Sequence, residues 1–156
     1  LLYNILEKND CKIGRRIKME SEPIGFKNAE PFFNIIMEGL RGEVDGEYFW
    51  DAVDDDAVFD FLYNFPGFPN RMEGRSTYMS WFSSYGIKIN NADNLKVYKV
   101  QGENIIVLEY QVHGIEPNTG KPYDNRFCSI VTIKNRKIVY WRDYMDSLAV
   151  MLASSN

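Results

Sequence analysis

The chain has 156 residues, 45% of them hydrophobic and 26% charged, with a net charge of −4, which fits one globular domain able to bury its own core. That acidic balance excludes a phosphate-backbone footprint, and no apolar run approaches the roughly 20 residues needed to span a bilayer, so neither nucleic acid nor membrane is expected as a partner. Two distant cysteines, Cys11 and Cys128, and a single histidine, His113, leave no disulfide framework and no zinc spacing, so a cytoplasmic protein without metal or nucleotide cofactor is expected.

Residues 1–18 carry a basic cluster and lack the apolar core of a secretory signal. Met19 could be the natural start, which makes 1–27 an N-terminal extension and 28–156 a single domain. From Asn28 to Leu40, Phe32, Phe33, Ile36, Met37 and Leu40 recur at helical spacing, with Pro31 in the first turn and Gly42 as the stop. A second short helix is predicted over Gly46 to Ala52, carrying Tyr48, Phe49 and Trp50, and Asp54-Asp55-Asp56 reads as a solvated turn rather than a metal site. Ala57 to Tyr63 follows as a strand, Asn64 to Asn70 as a Pro- and Gly-bearing loop, and Gly74 to Ser84 as a helix with Tyr78, Trp81 and Phe82 on one side. Strands are predicted near 86–90, 95–101, 104–115, 122–134 and 137–145, then a short helix from Ser147. Helices first and an antiparallel meander afterwards give an α+β fold, with the helices on one face of a curved sheet.

The stretch Lys137 to Asp146 carries the chemistry. Alternation puts Val139, Trp141, Asp143 and Met145 on one face, so a carboxylate interrupts an apolar row. Loss of hydration disfavours its charge and raises its pKa, which makes a general acid or base; the plainer reading is a buried pair with an arginine. With a two-residue turn at Asn135-Arg136, Asp143 falls opposite Cys128 and Trp141 opposite Ile130, and Arg126 shares Asp143's face close enough to hold it ionised. A one-residue slip removes that arrangement. Strand 105–115 sorts Val107, Glu109, Gln111 and His113 onto one face, which is either solvated or lines a wet pocket with Glu109 and His113 as further proton carriers. Asp60 also interrupts an apolar row, either as a second carboxylate beside Asp143 or as a local cap. Ten Tyr, ten Phe and three Trp suit an aromatic-lined pocket, although packing alone also accounts for them.

These pieces in order, Glu43-Val-Asp-Gly46, Asp55-Asp-Ala-Val-Phe-Asp60, Glu73-Gly-Arg-Ser76, Gly120 to Arg126 and Arg136 to Asp146, resemble the nuclear transport factor 2-like superfamily across about residues 28–152. That superfamily includes ketosteroid isomerase, SnoaL-like polyketide cyclases, limonene epoxide hydrolase and the phenazine A/B proteins. The resemblance implies a cone-shaped curved antiparallel sheet with helices on its concave face. It also implies a small, mostly apolar, carbonyl-bearing ligand and cofactor-free isomerase, cyclase or dehydratase chemistry. Asp143 then matches the last-strand catalytic carboxylate, and Asp60 the base of ketosteroid isomerase. The oxyanion donors of that enzyme fall on Ile35 and near Cys128, and the water-holding pair of the hydrolase on Phe59 and Phe61, so neither activity is carried over. Candidate ligand contacts are Arg126, Glu109, His113, Trp50, Phe59, Phe61, Tyr78, Trp81, Cys128 and Trp141. The alternative is a member that binds a small ligand or a protein without catalysis. By the same resemblance a homodimer is expected through an outer sheet face offering Tyr110, Val112, Tyr140 and Tyr144.

Overall fold

The computed structural model describes residues 22–155, so Cys11 and the expectation for residues 1–18 lie outside the described residues. Helix α1 covers Ile24–Asn28 and α2 Glu30–Gly39, with Pro31 in the first turn of α2. The single helix expected from Asn28 is thus preceded by a short one, which buries Phe26 and brings the backbone of Gly25 onto Ser83, its N–H donating to the Ser83 carbonyl at 3.1 Å. A Cβ on Gly25 would stand 2.1 Å from the Phe82 carbonyl oxygen, so only glycine allows that approach.

The second helix is shorter than expected, α3 at Phe49–Ala52, because strand β1 begins at Val53 and runs to Phe61. The acidic triplet is therefore part of β1 rather than a turn. It remains locally irregular: the pairing of β1 shifts between Val53 and Val58, and Asp54 Oδ1 accepts the Asp56 N–H at 3.0 Å. Strand β2, Arg71–Glu73, is too short to have shown a period in the sequence, and α4 covers Arg75–Phe82. The two strands expected over 86–101 are one, β3 at Lys88–Lys99, bent by an irregularity between Asp93 and Lys96 where Asn94 takes φ 55°. Strands β4 (Ile105–Glu116), β5 (Lys121–Lys134) and β6 (Lys137–Met145) and helix α5 (Ser147–Ser154) follow as the alternation predicts.

The six strands form one curved sheet in the order β2-β1-β6-β5-β4-β3. Pairing is antiparallel throughout β3 to β6, whereas β1 lies parallel to β6. The inner face carries Phe59, Phe61, Ile106, Leu108, Tyr110, Val112, Val131 and Trp141, all buried, and α2 closes the cone with Phe32, Phe33 and Ile36. Burying each such side chain contributes about 1.5–3 kcal/mol, so the inward set defines which face of each strand is the core.

The β5–β6 hairpin holds the detail that matters for the site. Its turn is the expected two-residue type, with Asn135 at φ 50° and Arg136 at φ 59°, and Lys134 faces Lys137. The Arg136 guanidinium anchors that turn by donating to the carbonyls of Gly42 and Val44 at 3.1 and 3.3 Å and by pairing with Asp45. Beyond it, Ile133 pairs with Ile138 but Thr132 pairs with Tyr140, leaving Val139 as one extra residue. From there Asp143 faces Ser129 and Trp141 faces Val131, not Cys128 and Ile130 as an unbroken ladder would have it.

Candidate functional site

Asp143 sits inside the cone, 3% exposed, on a strand flanked by β1 and β5. Its backbone is fixed on the β1 side, where Phe61 is its register partner and the Leu62 N–H donates to its carbonyl at 2.8 Å. Its carboxylate is held from the β5 side, where Ser129 Oγ donates to Oδ1 at 2.6 Å. Tyr110, on β4, completes the row with its hydroxyl 3.1 Å from Ser129 Oγ. A serine hydroxyl has one proton, so with that proton directed at Asp143 the Tyr110 hydroxyl is the donor to Ser129.

Burial dominates the acid's electrostatics. Loss of hydration pushes the Asp143 pKa from 3.8 to about 7, while Ser129 and the Trp141 indole pull it partly back. A rise of that size opposes the charge by about 4 kcal/mol. The neighbouring phenols of Tyr63 and Tyr78 are pushed up by burial first and then by the Asp143 charge, which places them in its field. Burial likewise pushes Tyr123 up to about 12. The site therefore holds one group able to exchange a proton near neutral pH among phenols that stay protonated.

The cavity in front of Asp143 is narrow, about 40 Å³, and ten of its sixteen lining residues are aromatic. A buried water needs roughly 10–15 Å³ of such volume, so the space holds about three waters. Phe61, Tyr63, Tyr78, Trp81 and Phe127 form walls, and Phe68, from the loop between β1 and β2, packs its ring 5.3 Å from Trp81. Neither Lys, Arg nor His is among the lining residues.

Of the residues singled out in the sequence, the structure brings together Asp143, Phe61, Tyr78 and Trp81. Phe59 and Trp50 stand one layer back, their rings 4.3 and 5.4 Å from that of Tyr78. Trp141 is buried beside Asp143 and packs on Phe49 at 5.8 Å. The remainder point to the other face of the sheet. Asp60 does not join Asp143: it accepts from the Tyr140 hydroxyl and pairs with Arg71 at 3.0 Å on the outside, because β1 turns Phe59 and Phe61 inward. Arg126 is exposed, 3.8 Å from Asp146, since the extra residue at Val139 removes it from Asp143's face. Glu109 lies 3.9 Å from Lys96 and His113 between Asp93 and Asp124 at 3.1 and 2.6 Å, both outside. Cys128 is half-buried on the outer face, its thiol pushed up by burial. Tyr110 and Val112, expected on the outer surface, are fully inside the cone.

Sequence reasoning missed Ser129, Tyr110, Tyr63 and Tyr123. Alternation in β5 was the available signal, since Tyr123, Asn125, Phe127, Ser129 and Val131 share one face. Phenols at positions other than Ile35 and Cys128, those of Tyr63, Tyr78 and Tyr123, line the cavity. Among the described residues no group of three or more His, Cys, Asp or Glu side chains is placed to hold a metal, and no helix is long and apolar enough to cross a membrane.

Comparison with known proteins agrees with this architecture. The model of the SnoaL-like domain family matches residues 41–141. The uncharacterised protein YesE of Bacillus subtilis (strain 168) is 30% identical over 110 residues, spanning 69% of this chain and 75% of YesE. A Bacillus subtilis structure provisionally assigned as an isomerase superposes with a TM-score of 0.66 at 27% identity, covering 81% of this chain and 91% of that one. A Catenulispora acidiphila protein with a ketosteroid isomerase-like fold, solved in complex with trimethylamine, superposes with a TM-score of 0.58 over 77% of this chain and 91% of that one; at 14% identity the likeness bears on the fold alone.

Proposed function

The chain belongs to the SnoaL-like domain family, and from that premise we propose that it binds a small, mostly apolar ligand in the cone cavity and that Asp143 exchanges a proton with it. The carrying observation is a fully buried carboxylate whose pKa lies at about 7, facing an aromatic cavity with no cation on its walls. A general acid or base works best with a pKa near the operating pH, and isomerisation, cyclisation or dehydration needs little beyond such a group and a dry pocket. Tyr110 and Ser129 orient the carboxylate, and Tyr63 and Tyr78 are the hydroxyls available to a developing negative charge. Asp60 has no part in the proton transfer. Catalysis is tested with Asp143→Asn, which should keep ligand binding and lose turnover by about two to four orders of magnitude. Loss of stability alone would refute the catalytic role.

The narrowness of the cavity favours a second reading, a binder without turnover. In either case the chain acts as a cytoplasmic homodimer through the outer sheet face, where Tyr140 and Tyr144 remain and Tyr98 is exposed. Light scattering that finds a monomer at micromolar concentration disproves the dimer.

A further inference from the structure

The wall of the Asp143 cavity lacks the group that a buried carboxylate ordinarily demands. Buried charges are paired with an opposite charge or neutralised, and leaving one alone is costly. Here the hydrogen-bond donors to Asp143 are neutral, and the arginines of the two adjacent strands, Arg126 and Arg142, belong to the outer face. The remaining wall is made of ring faces and edges. Phe61 lies 5.6 Å from Tyr78 and 6.3 Å from Trp81, and Tyr78 stacks on Trp81 at 6.1 Å, so three rings form one continuous panel beside the acid. Ring faces are negative by their quadrupole and attract a cation that has shed its water, by about 2 kcal/mol each when desolvated. An aromatic panel and one unpaired anion around a space for about three waters is the chemistry of a small organic cation.

We propose that the ligand of this cavity is a small alkylammonium ion of about four or five heavy atoms, its nitrogen against Asp143 and its alkyl groups against Phe61, Tyr78 and Trp81. The inference rests on the reading that the Asp143 cavity is the ligand site, and it adds the charge and size of what binds. A neutral ligand of the same shape would leave Asp143 either protonated or unpaired. A cation supplies the missing partner and holds the carboxylate ionised, the form that accepts a proton.

Tetramethylammonium is the probe, because its charge cannot be lost by deprotonation; tert-butanol is the neutral control of similar size. Binding to the full chain is followed by the indole resonances of Trp81 and by calorimetry at pH 8 and pH 5. The other titratable groups around Asp143 are the phenols of Tyr63, Tyr78, Tyr85, Tyr110 and Tyr123 and the Cys128 thiol, all pushed up by burial, which stay protonated across that range. Protonating Asp143 removes the partner, so the cation should bind on the order of a hundredfold more weakly at pH 5 than at pH 8. It should also bind at least tenfold more tightly than tert-butanol at pH 8, and Asp143→Asn should abolish both differences. Equal or tighter binding of tert-butanol, or cation binding that ignores pH, overturns the cationic ligand and leaves the small-ligand site standing. If neither probe perturbs Trp81 at millimolar concentration, both the inference and the site reading fall. The pH comparison uses the wild-type chain, so the test survives a variant that does not fold.

Discussion

Ser129 Oγ donates to Asp143 Oδ1 at 2.6 Å, a hydrogen bond between two side chains buried inside the cone. It joins adjacent strands at the point where the acid is dehydrated, and so sets how much of the burial penalty is offset. Removing it should move the acid in a known direction. Ser129→Ala leaves Asp143 buried without that donor, and the pKa should rise further above about 7. Carboxyl-carbon NMR titration measures it; an unchanged or lower midpoint would show that the serine does not tune the acid.

Stability should depend on pH through Asp143 itself. Its folded pKa is raised from 3.8 to about 7, so the folded chain keeps a proton that the unfolded chain has released. Stability therefore falls as pH rises from about 4 to about 7 and levels off above, losing up to about 4 kcal/mol. Asp143→Asn should remove this component and, after about 1–2 kcal/mol for the weaker neutral hydrogen bond, be about 2 kcal/mol more stable than wild type at pH 8. Denaturant titrations at pH 5 and pH 8 decide it.

His113 should act with the same balance of protons, and hence the same sign of slope. Asp124 first and then Asp93 hold its pKa above 6.5, so its contribution is complete below that value and is lost as pH rises through the raised one. Water and salt screen these half-exposed groups, so the effect is small. His113→Gln should flatten the thermal midpoint just above pH 6.5 without altering ligand binding.

Asp60→Asn separates the two carboxylates. Its contacts with Tyr140 and Arg71 are on the outside of the sheet, so the substitution should cost at most about 1 kcal/mol and leave ligand affinity and turnover unchanged. A turnover loss of tenfold or more would put Asp60 back in the mechanism.

Period-two alternation was enough to read the inward position of Asp143 and Trp141, and to read β4 to β6 nearly to their ends, because half-buried strands must sort apolar from polar side chains. Asp60 shows where the same rule misleads. It stands between Phe59 and Phe61, and only the tertiary packing of those rings on Tyr78 decides which side of β1 is inside. The partners of Asp143 were hidden for another reason: the tight turn was legible at Asn135 and Arg136, but the extra residue beyond it has no side-chain signature, since Val139 suits a regular strand as well as a bulge.

That residue also sets the polarity of the cavity. Paired without the bulge, β6 would present Tyr140 to Val131 and Arg142 to Ser129, and the same ten-residue string would aim a guanidinium, rather than an acid, at the aromatic panel. Pairing Val139 into a regular ladder would thus convert an anionic interior into a cationic one without changing any residue, whereas deleting Val139 would leave Asp143 opposite Ser129, so the bulge itself, as much as the identity of the residues around it, is a determinant of ligand charge.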